Sequence, residues 1–190
     1  GEFIEAEAQA RGLANLEIRT ADINDFDPSE RFDRVVSVEM FEHMRNWSEL
    51  LRRINGWLKD DGRLFIHIFV HRELAYLFNE EGEVNWMADY FFKEGMMPSE
   101  WLLPLLNTDM LVEHHWRVNG KQYARTLRAW LDAIDVNQEE AIAVLARHHG
   151  ADEAVRQFGR WRIFFMACEE LFGFKEGEEW YVAHYLLRRR

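Results

Sequence analysis

Two short, nearly unbroken apolar runs, Arg34–Val38 and Arg63–Val70, bracket an amphipathic segment and constrain the fold more than any other part of the chain. Runs of this length with so little polar alternation belong to strands buried on both faces, the habit of parallel sheets. Between them, Asn46-Trp47-Ser48-Glu49 has the spacing of a capping box. Trp47, Leu50, Leu51, Ile54, Trp57 and Leu58 then recur at helical spacing to about residue 59. Strand, helix and strand over residues 32–70 make one βαβ unit, whose crossover should be right-handed. The first strand runs straight into Glu39, Glu42 and His43. Ligands in open α/β sheets bind outside the carboxyl ends of the strands, so these three side chains are candidates for chemistry. The plainer alternative is that the acids cap the next helix and the histidine lies in a loop.

The rest of the chain supplies further elements and one irregular region. Residues 1–12 have helical composition up to Gly12, and Asn15–Thr20 reads as a strand with Leu16 and Ile18 on one face. An acidic loop follows at Asp22–Phe26. The helix-like sequence begins at once, near residue 2 and without a cap, so the chain is expected to be a portion of a longer protein. Asp60-Asp61-Gly62 marks a turn, and His67 sits in the middle of the second apolar run. A lone imidazole there is more often a satisfied core residue than a ligand, and either way it needs a partner.

Residues 72–108 are too long and too aromatic for an ordinary connection, and read as a short-helix insertion covering the site. Within it, Pro98-Ser99-Glu100 looks like a helix start with the serine as cap. Met110–Val118 reads as a strand with His114 and His115 pointing in opposite directions, a poor metal site. After a turn at Asn119-Gly120 come helices from Tyr123, from a second capping box at Asn137–Glu140, and over about 152–172. Trp180–Leu187 reads as a terminal strand, and Arg188–Arg190 as a solvated tail.

The 190 residues suffice for one domain with a substantial core, and 48% hydrophobic content excludes disorder. Eight Trp and fourteen Phe imply thick aromatic packing and a ring-walled pocket. A formal charge of −11 argues against nucleic acid and anionic lipid as partners, and favours a small cationic substrate. The single cysteine, Cys168, reads as core and excludes an intrachain disulfide. The longest apolar stretches fall short of a membrane span, so a cytoplasmic protein without stable membrane insertion is expected, its oligomeric state open.

The segments SVEMFEHMRNW, LFIHIFVHR, YFFKEGMMPS, HWRVNGKQYARTLRAWL, GRWRIFFMACEELFG and GEEWYVAHYLLRR together resemble the coclaurine N-methyltransferase branch of the cyclopropane-fatty-acyl-phospholipid synthase family. The likeness covers essentially the whole chain. It implies an α/β fold of the Rossmann-like class I methyltransferase type and S-adenosyl-L-methionine as methyl donor. It further implies transfer of the methyl to a small hydrophobic amine. Residues 1–190 would be the C-terminal portion of one such domain, with 72–108 and 121–172 supplying a helical lid and the substrate pocket. By the same resemblance, Asp22 and Ile23 lie beside the adenine ring, and Glu39 and Met40 end the strand that flanks the cofactor. Glu42 and His43 match the pair that binds and deprotonates the acceptor amine. Glu42, His67 and Tyr123 match three ligands of the bicarbonate held by the cyclopropane synthases.

The resemblance also exposes a gap. The family's sheet order is 3-2-1-4-5-7-6, and strands 1 and 2, with the glycine-rich loop, are missing here. The fold is therefore expected to be partial, with exposed apolar area and unpaired edges. The chain alone is expected to be inactive or to bind cofactor weakly, unless strand exchange between two copies replaces the missing pairing. Two other functions fit the same residues: modification of unsaturated phospholipid chains, and a non-catalytic fragment acting through protein contact.

Overall fold

The computed structural model describes residues 1–78, 86–92 and 95–190, with 88 and 89 by backbone alone. The chain divides into two units, Gly1–Arg31 and Phe32–Arg190. In the first, helix α1 (Glu2–Ala10) ends as expected at Gly12, whose φ of 65° is left-handed and costs glycine little. Asn15–Thr20 belongs to no strand, contrary to expectation. A strand exists only through its ladder, and this segment has none; Leu16 is left half exposed.

The second unit begins with β1 (Phe32–Val38), a single 3₁₀ turn at Phe41–His43, α2 (Trp47–Trp57) and β2 (Leu58–His71). The insertion follows: β3 (Tyr76–Leu77), α3 (Trp86–Tyr90), β4 (Met96–Met97) and α4 (Leu102–Leu106). The strands β3 and β4 pair antiparallel. Then come β5 (Met110–Val118), α5 (Gly120–Val136), α6 (Gln138–His149), α7 (Ala151–Gly173) and β6 (Trp180–Arg189). Parts of the expected lid, 79–85 and 93–94, lie outside the described residues.

The main sheet has the order β1-β2-β6-β5, with β1 and β2 parallel and the other pairs antiparallel. This is the 4-5-7-6 half of the order expected above. Helix α2 packs on β2 and buries Trp47, Leu50, Leu51, Ile54 and Trp57, while Leu64, Ile66 and Ile68 of β2 are also buried. Asn46 caps α2 by accepting from the Glu49 amide at 3.2 Å. The reciprocal half of the box is missing, because the Glu49 carboxylate is taken by Arg52.

The opposite face of β1 is not buried. Val36 and Val38 are 64% and 56% exposed, and among the described residues β1 is hydrogen-bonded only to β2. The expectation that both faces of this strand are covered therefore fails, whereas the expected bare apolar area and open edge are present. Helices α5, α6 and α7 pack together. A core of Phe69, Met97, Leu127, Leu131, Phe165, Cys168 and Phe172 joins α5 and α7 to β2 and β4.

Four local readings change. Asp60–Gly62 is a bulge inside β2, between the pairs Phe32–Leu58 and Arg34–Arg63, not a turn that precedes the strand. Ser99 caps no helix: α4 starts at Leu102 and has no side-chain cap. Asn137 turns back to donate to the Ala133 carbonyl, so the second capping box does not form. Arg188 and Arg189 extend β6, neutralised by Glu113 at 3.0 Å and Asp60 at 3.1 Å, where a free tail was expected. Among the described residues, no helix is long and apolar enough to cross a membrane.

Candidate active site

The site grows from the end of β1. Glu39 takes a φ of 49°, a left-handed conformation that costs a non-glycine residue about 1–3 kcal/mol and persists only where its surroundings enforce it. Its N–H donates to the His67 carbonyl at 3.1 Å, continuing the β1–β2 pairing. Half-buried Met40 then leads into the 3₁₀ turn. The Trp47 indole N–H donates to the carbonyls of both Phe41, at 2.9 Å, and Met44, at 2.8 Å, and the Phe41 ring meets Trp47 edge to face. Pinned in this way, the turn sends Glu42 inward, 1% exposed, and His43 outward, with 48% of its side chain exposed.

Glu39 and Glu42 hydrogen-bond to each other and titrate as a pair. Burial is the main cause that pushes Glu39 up to about 8, with the Glu42 charge and their shared hydrogen bond adding to it. Burial also pushes Glu42 up to about 7, opposed by hydrogen bonds from backbone and from Glu39. Near neutral pH the pair therefore holds about one proton. One oxygen of each, Glu39 Oε1 and Glu42 Oε2, is buried without a hydrogen bond among the described residues. A buried unsatisfied carboxyl oxygen is costly, so both oxygens are free to accept from a donor brought into line with them.

Glu39 lines a cavity of about 300 Å³ whose walls are otherwise almost wholly aromatic and aliphatic. Phe69 comes from β2, Tyr76 and Phe78 from the insertion, Tyr123, Leu127 and Trp130 from α5, and Phe164, Cys168 and Phe172 from α7. Burial and then the Glu39 charge push the Tyr123 phenol above its ordinary range, so it stays protonated and keeps its O–H as a hydrogen-bond donor. Burial drives the Cys168 thiol up to about 12, as a core cysteine should behave.

Of the expected site residues, Glu39 and Tyr123 line the cavity, while Glu42 and His67 stand beside Glu39 without lining it. His67 is not a core residue: it lies on the open sheet face, with 32% of its side chain exposed, and its Nε2 is 3.1 Å from Glu39 Oε1. That is an ion-pair distance without hydrogen-bond alignment. Its Nδ1 lies 2.9 Å from His184 Nε2. His43 does not line the cavity, and its ring is 3.9 Å from Glu42. Asp22 and Ile23 belong to the first unit, where the Asp22 carboxylate accepts from the Asn24 amide at 2.8 Å and shapes a turn.

Sequence reasoning missed two features. His184 reads as one residue of a terminal strand, and only the β2–β6 register makes it the partner of His67. Glu100 is wholly buried, clamped by Arg117 at 2.5 and 2.6 Å and by the Tyr181 hydroxyl at 2.8 Å. This second polar cluster ties the end of the insertion to β5 and β6. The available signal was Arg117 near the end of the Met110–Val118 strand, a charge that needs a partner.

Comparison with known proteins places this geometry. The profile of the mycolic acid cyclopropane synthetase family matches residues 2–180. (S)-Coclaurine N-methyltransferase of Thalictrum flavum subsp. glaucum is 36% identical over 193 residues, which cover 100% of this chain and 54% of that protein. The chain therefore spans about half the length of the curated relatives it matches. A solved coclaurine N-methyltransferase, bound to N-methylheliamine and SAH, superposes with a TM-score of 0.92 at 34% identity, over 99% of this chain and 55% of that one. The cyclopropane synthase MmaA2 from Mycobacterium tuberculosis shares the fold, with a TM-score of 0.70 at 20% identity over 97% of this chain and 66% of its own. The expected partial class I methyltransferase fold with a helical insertion is the fold observed, and the chain belongs to the mycolic acid cyclopropane synthetase family.

Proposed function

We propose that this chain carries the acceptor side of an S-adenosyl-L-methionine-dependent N-methyltransferase acting on a small hydrophobic amine. The observation that carries the reading is the Glu39–Glu42 pair, with two unsatisfied oxygens, beside an aromatic cavity. Such a set suits a cationic or hydrogen-donating nitrogen attached to an apolar body. The names of the relatives, which are amine N-methyltransferases, support the same acceptor class.

Unsatisfied carboxyl oxygens and ring faces are also compatible with a sulfonium cofactor flanked by Glu39 and Met40. When bound, S-adenosyl-L-methionine supplies an electrophilic methyl that a neutral amine nitrogen attacks by SN2 displacement. The chain's own contribution is alignment and proton handling. An amine arriving protonated has no lone pair to attack with. The carboxyl pair, poised at about 7 to 8, can bind the cation and accept its proton near neutral pH. Glu39 makes the first contact because it lines the cavity, and Glu42 tunes it from behind. His43 stands 3.9 Å from Glu42 on the outer side, close enough for its charge to act on the pair, and Tyr123 can donate a hydrogen bond. The aromatic walls exclude water and offer ring faces to the acceptor.

The test is incubation of the intact protein with methyl-labelled cofactor and either benzylisoquinoline-type amines or vesicles of unsaturated phospholipid. Label in the amine is expected. Label in lipid alone would replace the acceptor class, and no transfer by a folded protein would favour a non-catalytic role.

A further inference from the structure

We propose that the Tyr76 hydroxyl determines specificity by donating a hydrogen bond to an oxygen on the acceptor's aromatic body, at the end remote from the nitrogen. The inference rests on the amine-methylating reading above and deepens it, because it names a second polar group that the acceptor carries. Every contact involved lies between described residues of Phe32–Arg190. Three residues of β2, His67, Phe69 and His71, alternate along the strand and so share one face. Glu39 stands at the first: its Oε1 is 3.1 Å from His67 Nε2, and its N–H donates to the His67 carbonyl. Phe69, in the middle, is part of the cavity wall. At the third, the His71 ring meets Tyr76 edge to face, 6.5 Å between centroids, and Tyr76 is again cavity wall. Four residues of strand span about 13 Å, so the carboxyl and the phenol enter the cavity from opposite ends.

The Tyr76 hydroxyl is oriented before any ligand arrives. The Trp180 indole N–H donates to it at 3.3 Å, which occupies one lone pair and leaves the phenol proton to donate elsewhere. Among the described residues that proton has no acceptor. Trp180 is held in turn. It is the register partner of His71, and the two rings meet edge to face at 4.9 Å and 76°. The His71 Nδ1 accepts from the amides of Glu73 at 3.0 Å and Leu74 at 2.7 Å, so its proton is on Nε2, 3.3 Å from Glu179 Oε1. A hydroxyl fixed in this way loses little freedom when a ligand binds, as a selective contact requires.

The two ends of the cavity differ in polarity. Tyr123 belongs to the carboxyl end, since the charges of Glu39 and Glu42 act on its phenol, and the Cys168 thiol is a weak donor. The rest of the wall is hydrocarbon, thioether and one indole. Carboxyl oxygens therefore stand at one end, and the Tyr76 phenol proton at the other. A nitrogen bearing N–H groups matches the first, and a hydroxyl or ether oxygen the second. An acceptor without that oxygen leaves the phenol proton facing rings, and a donor left unpaired in an apolar pocket is costly.

The experiment compares the intact wild-type protein with Tyr76→Phe, which keeps the ring and removes only the hydroxyl. Each receives two aromatic amines of one skeleton, one with a ring methoxy group remote from the nitrogen and one without it. Wild type should prefer the methoxy amine. In Tyr76→Phe that preference, the ratio of the two kcat/KM values, should fall about tenfold through KM, the upper end for one neutral hydrogen bond. A general folding defect lowers both values together and leaves the ratio alone. An unchanged ratio overturns the proposal, and so does a lowered ratio in which only kcat has moved. Calorimetric titration with the same amines, without cofactor, reads the contact apart from turnover: the Kd preference should fall by about the same factor. If wild type methylates neither amine, the functional reading fails and the calorimetry alone decides on the hydroxyl. An equal Kd ratio in the two proteins, or no binding by wild type, overturns it.

Discussion

Replacing Glu42 by glutamine should make the protein more stable at alkaline pH and leave it nearly unchanged in acid. In the folded protein the Glu42 carboxyl titrates at about 7, against 4.5 in the unfolded chain, chiefly because burial disfavours its charge. Below pH 4.5 the group is protonated in both states and contributes nothing to the difference. Between 4.5 and about 7 the unfolded chain gives up the proton while the folded protein keeps it, so stability falls as pH rises. At 1.36 kcal/mol per pH unit, the loss above pH 7 is about 3 kcal/mol from Glu42, and Glu39, which titrates at about 8, extends the decline by another unit. Glutamine keeps the shape and neutrality of the protonated acid, so Glu42→Gln should recover about 3 kcal/mol at pH 8.5 and almost none at pH 4. Urea titrations of the intact protein and the variant across that range measure this. Stability that is flat or rising from pH 4.5 to 8, or a variant no more stable than wild type at pH 8.5, would show that the pair is ionised in the folded protein and would refute the reasoning.

Three further outcomes follow from the packing. Arg117→Met should destabilise by about 3–5 kcal/mol in urea, because it strands the wholly buried Glu100 carboxylate; Glu100→Gln should cost less, since the half-exposed Arg117 can turn to water. Gly120→Ala should cost about 1–3 kcal/mol or more by the same measurement, since a Cβ there would meet the carbonyl oxygens of Trp180 and Phe172 within 2.4 Å. Cys168, with its thiol driven up to about 12, should resist iodoacetamide at pH 8 in the native protein and react once it is unfolded; mass spectrometry reads both.

Those elements whose cause is local were legible in the sequence. The βαβ unit followed from two apolar runs and one helical stripe, and the strand order followed from the resemblance. The position of Glu39 and Glu42 at a strand end was also readable. Which of Glu42 and His43 turns inward was not, because the Trp47 indole fixes that choice by binding two carbonyls of the intervening turn. His184 escaped because its partner is 117 residues away in sequence, and register between distant strands leaves no local trace. Glu100 was read as part of a helix start because Pro-Ser-Glu is the usual spelling of one; its burial depends on Arg117 and Tyr181, which arrive from other strands. The terminal arginines looked solvated for the same reason, since Glu113 and Asp60 neutralise them only after the sheet has formed. Asn15–Thr20 had the composition of a strand without a neighbour to pair with.

Everything functional depends on a protonatable carboxyl pair meeting an amine at the aromatic cavity. The most direct test is the single-turnover rate of methyl transfer to an amine by the intact protein, in wild type and in Glu39→Gln, with cofactor Kd measured beside it. The account predicts a rate lowered about a hundredfold or more at neutral pH, with cofactor affinity preserved. Wild-type rates in the variant, or a loss that merely tracks weaker cofactor binding, would contradict it.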